Sequence, residues 1–292
     1  MKSVPAVLLE HLHRVEPDAE FTGTLPHLVS SSGFHYFAKV GSEHEEEQFV
    51  GEAESLKHIV IAAPGLAPRV ITSGSDGTRP YMITEYKNLT SLSDAAARRL
   101  GKRLATELHQ YNGPEKKFGF GVATYCGATR LQNGWFDSWD ACYSAMIGDL
   151  LSQLTKKGGF ASLCTKGEEV RQNVIPKLLG SLEARPVLLH GDLWSGNMGA
   201  EATSGEPVIF DPASYYGHNE ADLAIARIFG GVHQSFFEAY HQHLPKTPPA
   251  EQYDLRQEIY QLFHYLNHTL LFGGHYSSSA ERKMDDLLAA AL

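Results

Sequence analysis

Val187-Leu188-Leu189-His190-Gly191-Asp192-Leu193-Trp194-Ser195-Gly196-Asn197 is the stretch on which the reading of this chain turns. Three consecutive apolar residues read as a short buried strand, and His-Gly-Asp is the turn that strand delivers. Asn197 stands five residues after Asp192, and Asp211 follows fourteen residues later, at the end of a second apolar run, Val208-Ile209-Phe210. Phosphoryl transfer requires such a set of groups. One carboxylate orients the acceptor hydroxyl and takes its proton, while an amide oxygen and another carboxylate hold Mg2+ against the phosphates of ATP.

The spacing matches the kinase catalytic loop H-x-D-x-x-x-x-N and the metal-binding Asp that follows it. Taken singly the elements are weak, since a loop Asp is more often a turn former or a cap. The combination is specific: strand, His-Gly-Asp, Asn at plus five, strand, Asp, with a lysine and a glutamate placed upstream. Asp192 is thus the candidate catalytic base, and Asn197 and Asp211 are the candidate Mg2+ ligands.

The upstream lysine is Lys39, near the end of the strand-like run Phe34–Val40. By itself it would be an exposed strand-end lysine. Ser42 then opens a helix, with Glu45 three residues on forming a capping box. Phe49, Ala53, Leu56 and Ile59 give that helix one buried stripe, and Glu52 lies on or beside it. A carboxylate there needs a cationic partner, because burying it alone is costly. Lys39 and Glu52 are therefore expected to pair and to set the nucleotide phosphates. Two further strand candidates, Arg69–Ser73 and Pro80–Glu85, complete a small lobe, and Glu85-Tyr86 falls in the connection where backbone groups would meet adenine.

After Tyr86 the chain becomes mostly helical. Ser93 caps a helix carrying Ala97, Leu100, Leu104 and Leu108. Residues 114–134 read as a Gly-rich connection, residues 135–155 and 168–183 as helices, and the part from Asp222 onward as helical apart from Pro245–Pro249. The expected architecture is α+β: a two-lobed protein-kinase-like fold with a small antiparallel-sheet nucleotide-binding lobe at 1–85 and a mainly helical catalytic and substrate-binding lobe at 86–292.

Composition narrows the function classes. The 292 residues are 42% hydrophobic and 20% charged, which is ordinary globular usage, and the formal net charge of −9 argues against a nucleic-acid partner. No apolar run approaches the roughly 18 residues of a membrane span. Acidic residues at Glu10, Glu16, Asp18 and Glu20 break any signal or transit pattern. The three cysteines, Cys126, Cys142 and Cys164, have no paired spacing. A cytoplasmic protein is expected, with the oligomeric state left open. Histidine pairs such as His11-x-His13, His241-x-His243 and His264-x-x-x-His268 lack a third-ligand pattern and read as surface or core residues.

The flanks of the catalytic groups carry a more specific signal. Leu189-His190-Gly191-Asp192-Leu193-Trp194-Ser195-Gly196-Asn197, with Val208-Ile209-Phe210-Asp211-Pro212-Ala213-Ser214-Tyr215-Tyr216-Gly217-His218, resembles the fructosamine kinase/ketosamine-3-kinase family. Glu220, Asp222-Leu223-Ala224, Phe229-Gly230-Gly231, Phe49-x-x-Glu52-Ala53-x-x-Leu56, Phe118-Gly119 and Thr124-x-Cys126-Gly127 extend the resemblance over nearly the whole chain. It implies ATP- and Mg2+-dependent phosphorylation of the sugar 3-hydroxyl in ketosamine adducts on lysine, free or on glycated proteins. By the same resemblance Trp194 belongs to the sugar-amine pocket, where an indole can stack on a sugar or attract an ammonium; an aromatic packed under the loop is an equally ordinary role. His218 and His268 resemble family positions near the cleft. The loop from Gly23 to Ser32 is poorer in glycine than the family's usual nucleotide loop. Activity toward another small hydroxyl compound, such as an aminoglycoside or choline, and an inactive binder of glycated proteins are the alternatives.

Overall fold

A computed structural model describes residues 4–291, so the first three residues and the last one of the two expected lobes lie outside the described range. The chain opens with α1 (Ala6–Val15), β1 (Phe21–Thr24), β2 (His27–Ser30), β3 (His35–Val40), α2 (Glu46–Ala62), β4 (Val70–Ser75) and β5 (Pro80–Glu85). The five strands form one antiparallel sheet in the order β1-β2-β3-β5-β4. Alternation places Leu28, Tyr36, Ala38, Tyr81 and Ile83 on one face, where they close over Leu8 and Leu12 of α1 in a core of their own. Ser42 and Glu45 do form the capping box, but a 3-10 turn at Glu43–Glu45 precedes α2.

The rest of the chain runs β6 (Leu89–Thr90), α3 (Asp94–Thr106), β7 (Phe118–Phe120), β8 (Thr124–Cys126), β9 (Thr129–Leu131), β10 (Gly134–Phe136), α4 (Trp139–Lys157), α5 (Ala161–Asn173) and α6 (Ile175–Leu179). It continues with β11 (Val187–Leu189), β12 (Met198–Glu201), β13 (Pro207–Ile209), β14 (Tyr215–Gly217), α7 (Glu220–Ile228), α8 (Gln234–His243), α9 (Tyr253–Phe272) and α10 (His275–Ala291). The fold is α+β, with the large sheet in the first lobe and the helices gathered in the second.

Several boundaries depart from the sequence reading. The connection at 114–134 holds β7, β8 and β9 and the start of β10, and pairing of β10 with β7 delays the expected helix to Trp139. The helix expected over 168–183 is two, because Pro176 begins a new first turn where its missing N–H leaves no bond unmade. A second core runs through this lobe, and it includes Phe49, Ala53, Leu56 and Ile59 of α2. Helix α2 therefore belongs by packing to the helical lobe, although it lies between strands of the sheet in sequence.

No helix among the described residues is long and apolar enough to cross a membrane.

Candidate active site

Two short ladders bring the candidate catalytic groups together. β11 pairs with β14 (Leu189 opposite Tyr215), and β12 pairs with β13 (Met198 opposite Ile209). The first sets His190 beside Ala213, whose N–H donates to the His190 carbonyl at 2.9 Å. The second sets Asn197 beside Phe210, whose N–H donates to the Asn197 carbonyl at 3.1 Å. Asp192, Asn197 and Asp211 thus lie in the segments that link two separate ladders. Gly191 is required by the crossing: its φ is +83°, and a Cβ there would sit 2.1 Å from the Ala213 carbonyl oxygen.

Buried polar groups lock the loop from below. Asp222, on α7, accepts the His190 N–H and the Gly191 N–H, each at 2.8 Å. His109 donates to the same carboxylate from Nε2 at 3.3 Å while its Nδ1 accepts from the Tyr240 hydroxyl at 2.7 Å. Burial works against ionisation of Asp222, but the hydrogen bonds from His109 and the His190 amide carry its carboxyl below the ordinary range. His190 donates from Nε2 to the Phe210 carbonyl at 2.9 Å and accepts the Asp192 N–H on Nδ1 at 3.2 Å. Burial lowers its pKa, so it serves as a neutral spacer between the two loops.

Asp192 itself is partly buried. Burial pushes its carboxyl up to about 6, against hydrogen bonds from the Cys126 thiol and the Asn197 amide, and Asp222 and Asp211 add to the rise. Asn197 donates from Nδ2 to the Asp192 carbonyl at 2.9 Å and to its carboxylate at 3.2 Å. That spends the amide nitrogen and leaves the amide oxygen for another partner. Asp211 takes a left-handed φ of +53°, a conformation Asp tolerates better than most residues and one that turns its exposed carboxylate off the end of β13. No ion pair among the described residues engages it. An amide oxygen and a free carboxylate make a hard-oxygen donor set, so these residues fit Mg2+.

The expected Lys39–Glu52 ion pair is present. Burial raises the Glu52 carboxyl, the Lys39 ammonium opposes that rise, and Asp211 adds to it. Lys39, Gln48, Glu52, Asp192, Trp194, Asn197 and Asp211 line one cavity of about 350 Å3. Beside it lies a cavity of about 410 Å3 lined by Phe37, Leu56, Met82, Thr84 and Phe210 together with Glu52, Asp211, Glu85 and Tyr86. The Glu85 side chain turns to Arg69 and Lys87, at 3.3 and 3.2 Å, and its backbone N–H donates to the Arg69 carbonyl at 3.0 Å.

A third cavity, of about 340 Å3, opens on the other side of Asp192 and is mostly apolar: Cys126, Trp194, Ile225, Phe229, Asn267, His268, Phe272 and Tyr276 line it. Trp194 meets Phe229 edge-on at 6.2 Å, and His268 lies against Phe229, Phe272 and Tyr276 at 4.9, 5.6 and 5.1 Å. His268 donates from Nδ1 to the His264 carbonyl at 2.8 Å, which turns Nε2 into the acceptor. Trp194 is 38% exposed, and its indole lies over Gly196 of the same loop, where a Cβ would stand 2.2 Å from the ring.

His218 is not brought to any of these cavities. It is 1% exposed, with Nδ1 bonded to the Tyr260 hydroxyl and Nε2 to the Thr247 hydroxyl, both at 2.8 Å. Burial pushes it down to about 3. Its place is in the interior, where it ties β14 to α9. Two residues that the spacing left without a site role stand against the catalytic loop instead: Asp222 and Cys126. An acidic residue in the first turn of a helix is common enough to hide the first, and nothing in a lone cysteine announces the second.

Two lobes, a lysine–glutamate pair above the cleft and an Asp–Asn–Asp set below it define a phosphotransferase of the protein-kinase-like fold. Residues 24–290 match the family model for fructosamine kinase, and the chain belongs to that family. It is 38% identical over 275 residues to ketosamine-3-kinase of Mus musculus, covering 86% of this chain and 87% of the mouse protein. It is 37% identical over 263 residues to a chloroplastic protein-ribulosamine 3-kinase of Oryza sativa subsp. japonica, covering 87% of this chain and 72% of that one. The backbone superposes on a crystal structure assigned as a fructosamine-3-kinase from Haemophilus somnus 129PT with a TM-score of 0.78, at 22% identity and 96% coverage of each chain. The protein is a kinase.

Proposed function

We propose that this kinase uses MgATP to phosphorylate the 3-hydroxyl of ketosamine adducts, ribulosamine or fructosamine, on lysine or protein amines, and so begins their removal. The observation that carries the reading is the position of Asp192, which lines both the cavity of Lys39, Glu52, Asn197 and Asp211 and the aromatic cavity of Trp194 and His268. A group standing between two such cavities can accept a proton from an acceptor held in one and present the oxygen to a phosphate held in the other. The names of the mouse and rice relatives supply the substrate class.

In this reading Asp192 is the base, Lys39 meets the nucleotide phosphates, and Glu52 holds Lys39 in place. Residues 1–85 grip the nucleotide, with the backbone at Glu85-Tyr86 against adenine, and residues 86–292 supply chemistry and acceptor. Bound Mg2+, held by Asn197 and Asp211, would neutralise charge on the phosphates. Trp194 and His268 give the acceptor a stacking surface and one ring acceptor nitrogen. His218 has no place in this scheme except as interior support. Free thiols at all three cysteines fit a reducing compartment such as the cytoplasm.

The test is a panel of ribulose-lysine, fructose-lysine, a free ketose, an aminoglycoside and choline, each with MgATP, with ADP release and product mass measured. Phosphorylated ribulose-lysine or fructose-lysine is expected. Turnover confined to the aminoglycoside or choline would remove the ketosamine assignment, and no turnover with any acceptor would favour a binder of glycated proteins.

Two results should accompany it. Asp211→Ala should weaken nucleotide binding by at least about tenfold in the presence of Mg2+, roughly 1.4 kcal/mol, and leave Mg2+-free binding unchanged in calorimetry. A base must be unprotonated to work, and Asp192 titrates near 6. The value of kcat/KM should therefore drop as the pH falls through about 6 and level off above it. A flat profile between pH 5 and 8 would take Asp192 out of the rate-determining proton transfer.

A further inference from the structure

The wall between the aromatic cavity and the core brings Asp192 against two side chains, Cys126 and His264, that phosphoryl transfer does not use. Cys126 ends β8, Asp192 sits on the catalytic loop, and His264 lies on α9 four residues before His268. One donor atom from each of the three falls within 4.8 Å of the other two. Cys126 is 1% exposed and His264 is 5% exposed. The Asp192 carboxylate stands beside the thiol. His264 Nδ1 is buried without a hydrogen-bond partner, and so is the Asn267 amide oxygen less than one turn further along α9. Asn267 is fixed against the same strand, its Nδ2 donating to the Cys126 carbonyl at 3.2 Å.

A buried ring nitrogen with no partner costs free energy unless something completes it. The surrounding donors are one sulfur, one nitrogen and one carboxylate oxygen. Mg2+ demands oxygen ligands in an octahedron and is a poor match. Zn2+ takes this mixed set tetrahedrally, with three protein ligands and one open position. Donors around tetrahedral zinc stand about 3.5 Å apart, so side-chain rotations of about an ångström close the present triangle. The open position would face the aromatic cavity, which Cys126, Asp192 and Asn267 all line. A water there could donate to the unpaired Asn267 oxygen.

We propose that Cys126, Asp192 and His264 form a Zn2+ site that arrests the kinase by occupying its base. On binding, the thiol gives its proton to solvent, the thiolate and imidazole each donate an electron pair to the ion, and the Asp192 carboxylate becomes a ligand. A carboxylate so held no longer accepts the acceptor hydroxyl's proton. The inhibitory half rests on Asp192 acting as the base; the binding half does not.

The binding half is read first, on the full chain without nucleotide, by calorimetry with ZnCl2 and by absorption with CoCl2. Expected are a one-to-one Zn2+ site and a thiolate-to-cobalt charge-transfer band. Cys126→Ser and His264→Gln should each weaken Zn2+ binding at least tenfold. The band should vanish in Cys126→Ser and persist in Cys164→Ser, whose thiol is half-buried elsewhere. Absence of a one-to-one site or of the band in the wild type would overturn the proposal, whatever the folding of the variants. A band lost in Cys164→Ser instead would also do so.

Phosphotransfer at saturating MgATP is then followed with Zn2+ and after a chelator. Reversible loss of turnover in the wild type, at a Zn2+ concentration at least tenfold lower than in His264→Gln, supports the arrest. Binding without any effect on turnover would overturn it. A lack of turnover before any zinc is added would instead count against the ketosamine reading and leave the binding result intact.

Discussion

Asp192→Asn should lower kcat by about 10²- to 10⁴-fold, the range a positioned general base supplies, with MgATP affinity changed less than about threefold. The substitution keeps shape and removes the one capacity that matters. Asn197 still has a carbonyl and an amide oxygen to donate to, and the Asp222 brace beneath His190 and Gly191 is untouched. Lys39, Glu52 and Asp211 on the nucleotide side also keep their places. The loss should therefore appear in kcat, and the pH dependence near 6 should disappear with it. Single-turnover rates beside nucleotide titrations decide the matter. A variant with wild-type kcat would mean that proton removal is not assisted here, and one with collapsed nucleotide affinity would give Asp192 a metal-binding role.

The second large effect concerns stability rather than chemistry. Glu220, at the start of α7, and Arg256, on α9, form an ion pair at 2.6 Å in which the side chains are 1% and 0% exposed. Arg256 also donates to the carbonyls of Thr247 and Pro249 at 2.6 and 2.9 Å, and Thr247 N–H donates to Glu220 at 2.7 Å. Every strong donor and acceptor in the cluster is satisfied, so removing one partner strands the other in the interior. Arg256→Met should cost about 3–5 kcal/mol of unfolding free energy. The double variant Arg256→Met with Glu220→Gln should recover a good part of it, because the stranded charge is gone. Urea unfolding of the four proteins of the cycle measures both. A single-variant loss below about 1 kcal/mol would mean that water reaches the pair.

The grouping of Asp192, Asn197 and Asp211 was legible because phosphoryl transfer constrains the spacing of such groups along the chain as well as in space. His190-Gly191-Asp192 and Asn197 share one loop, and Asp211 ends the strand that pairs with the strand after Asn197, so sequence distance encodes geometry. The Lys39–Glu52 pair was legible for a different reason: a glutamate on a buried helical stripe needs a cation, and a neighbouring strand offers one. What escaped depends on contacts between distant segments. The short strands β7 to β10 are held by pairing with one another and with β14, which no local pattern records. Asp222 lies among acidic residues that would suit any helix N-terminus, and only the fold aims it at the His190 and Gly191 amides. Family resemblance places His218 near the cleft, yet the strand between it and Asp211 carries it into the interior. Cys126 reaches Asp192 across 66 positions.

Helix α2 is clamped to the helical lobe at four successive points. Glu47 takes Arg130 at 2.6 Å and Tyr125 at 2.6 Å, Gly51 lets Ala123 approach to where a Cβ would lie only 2.4 Å from its carbonyl oxygen, Ser55 accepts the Ser214 N–H at 3.2 Å, and His58 bonds Tyr216 at 2.9 Å. A kinase whose glutamate-bearing helix swings freely can be switched by rotating that glutamate away from its lysine. Here the swing would break all four attachments at once. Glu52 is therefore anchored to the helical lobe through its helix, while its partner Lys39 rides on β3 of the sheet, so that ion pair joins the two lobes.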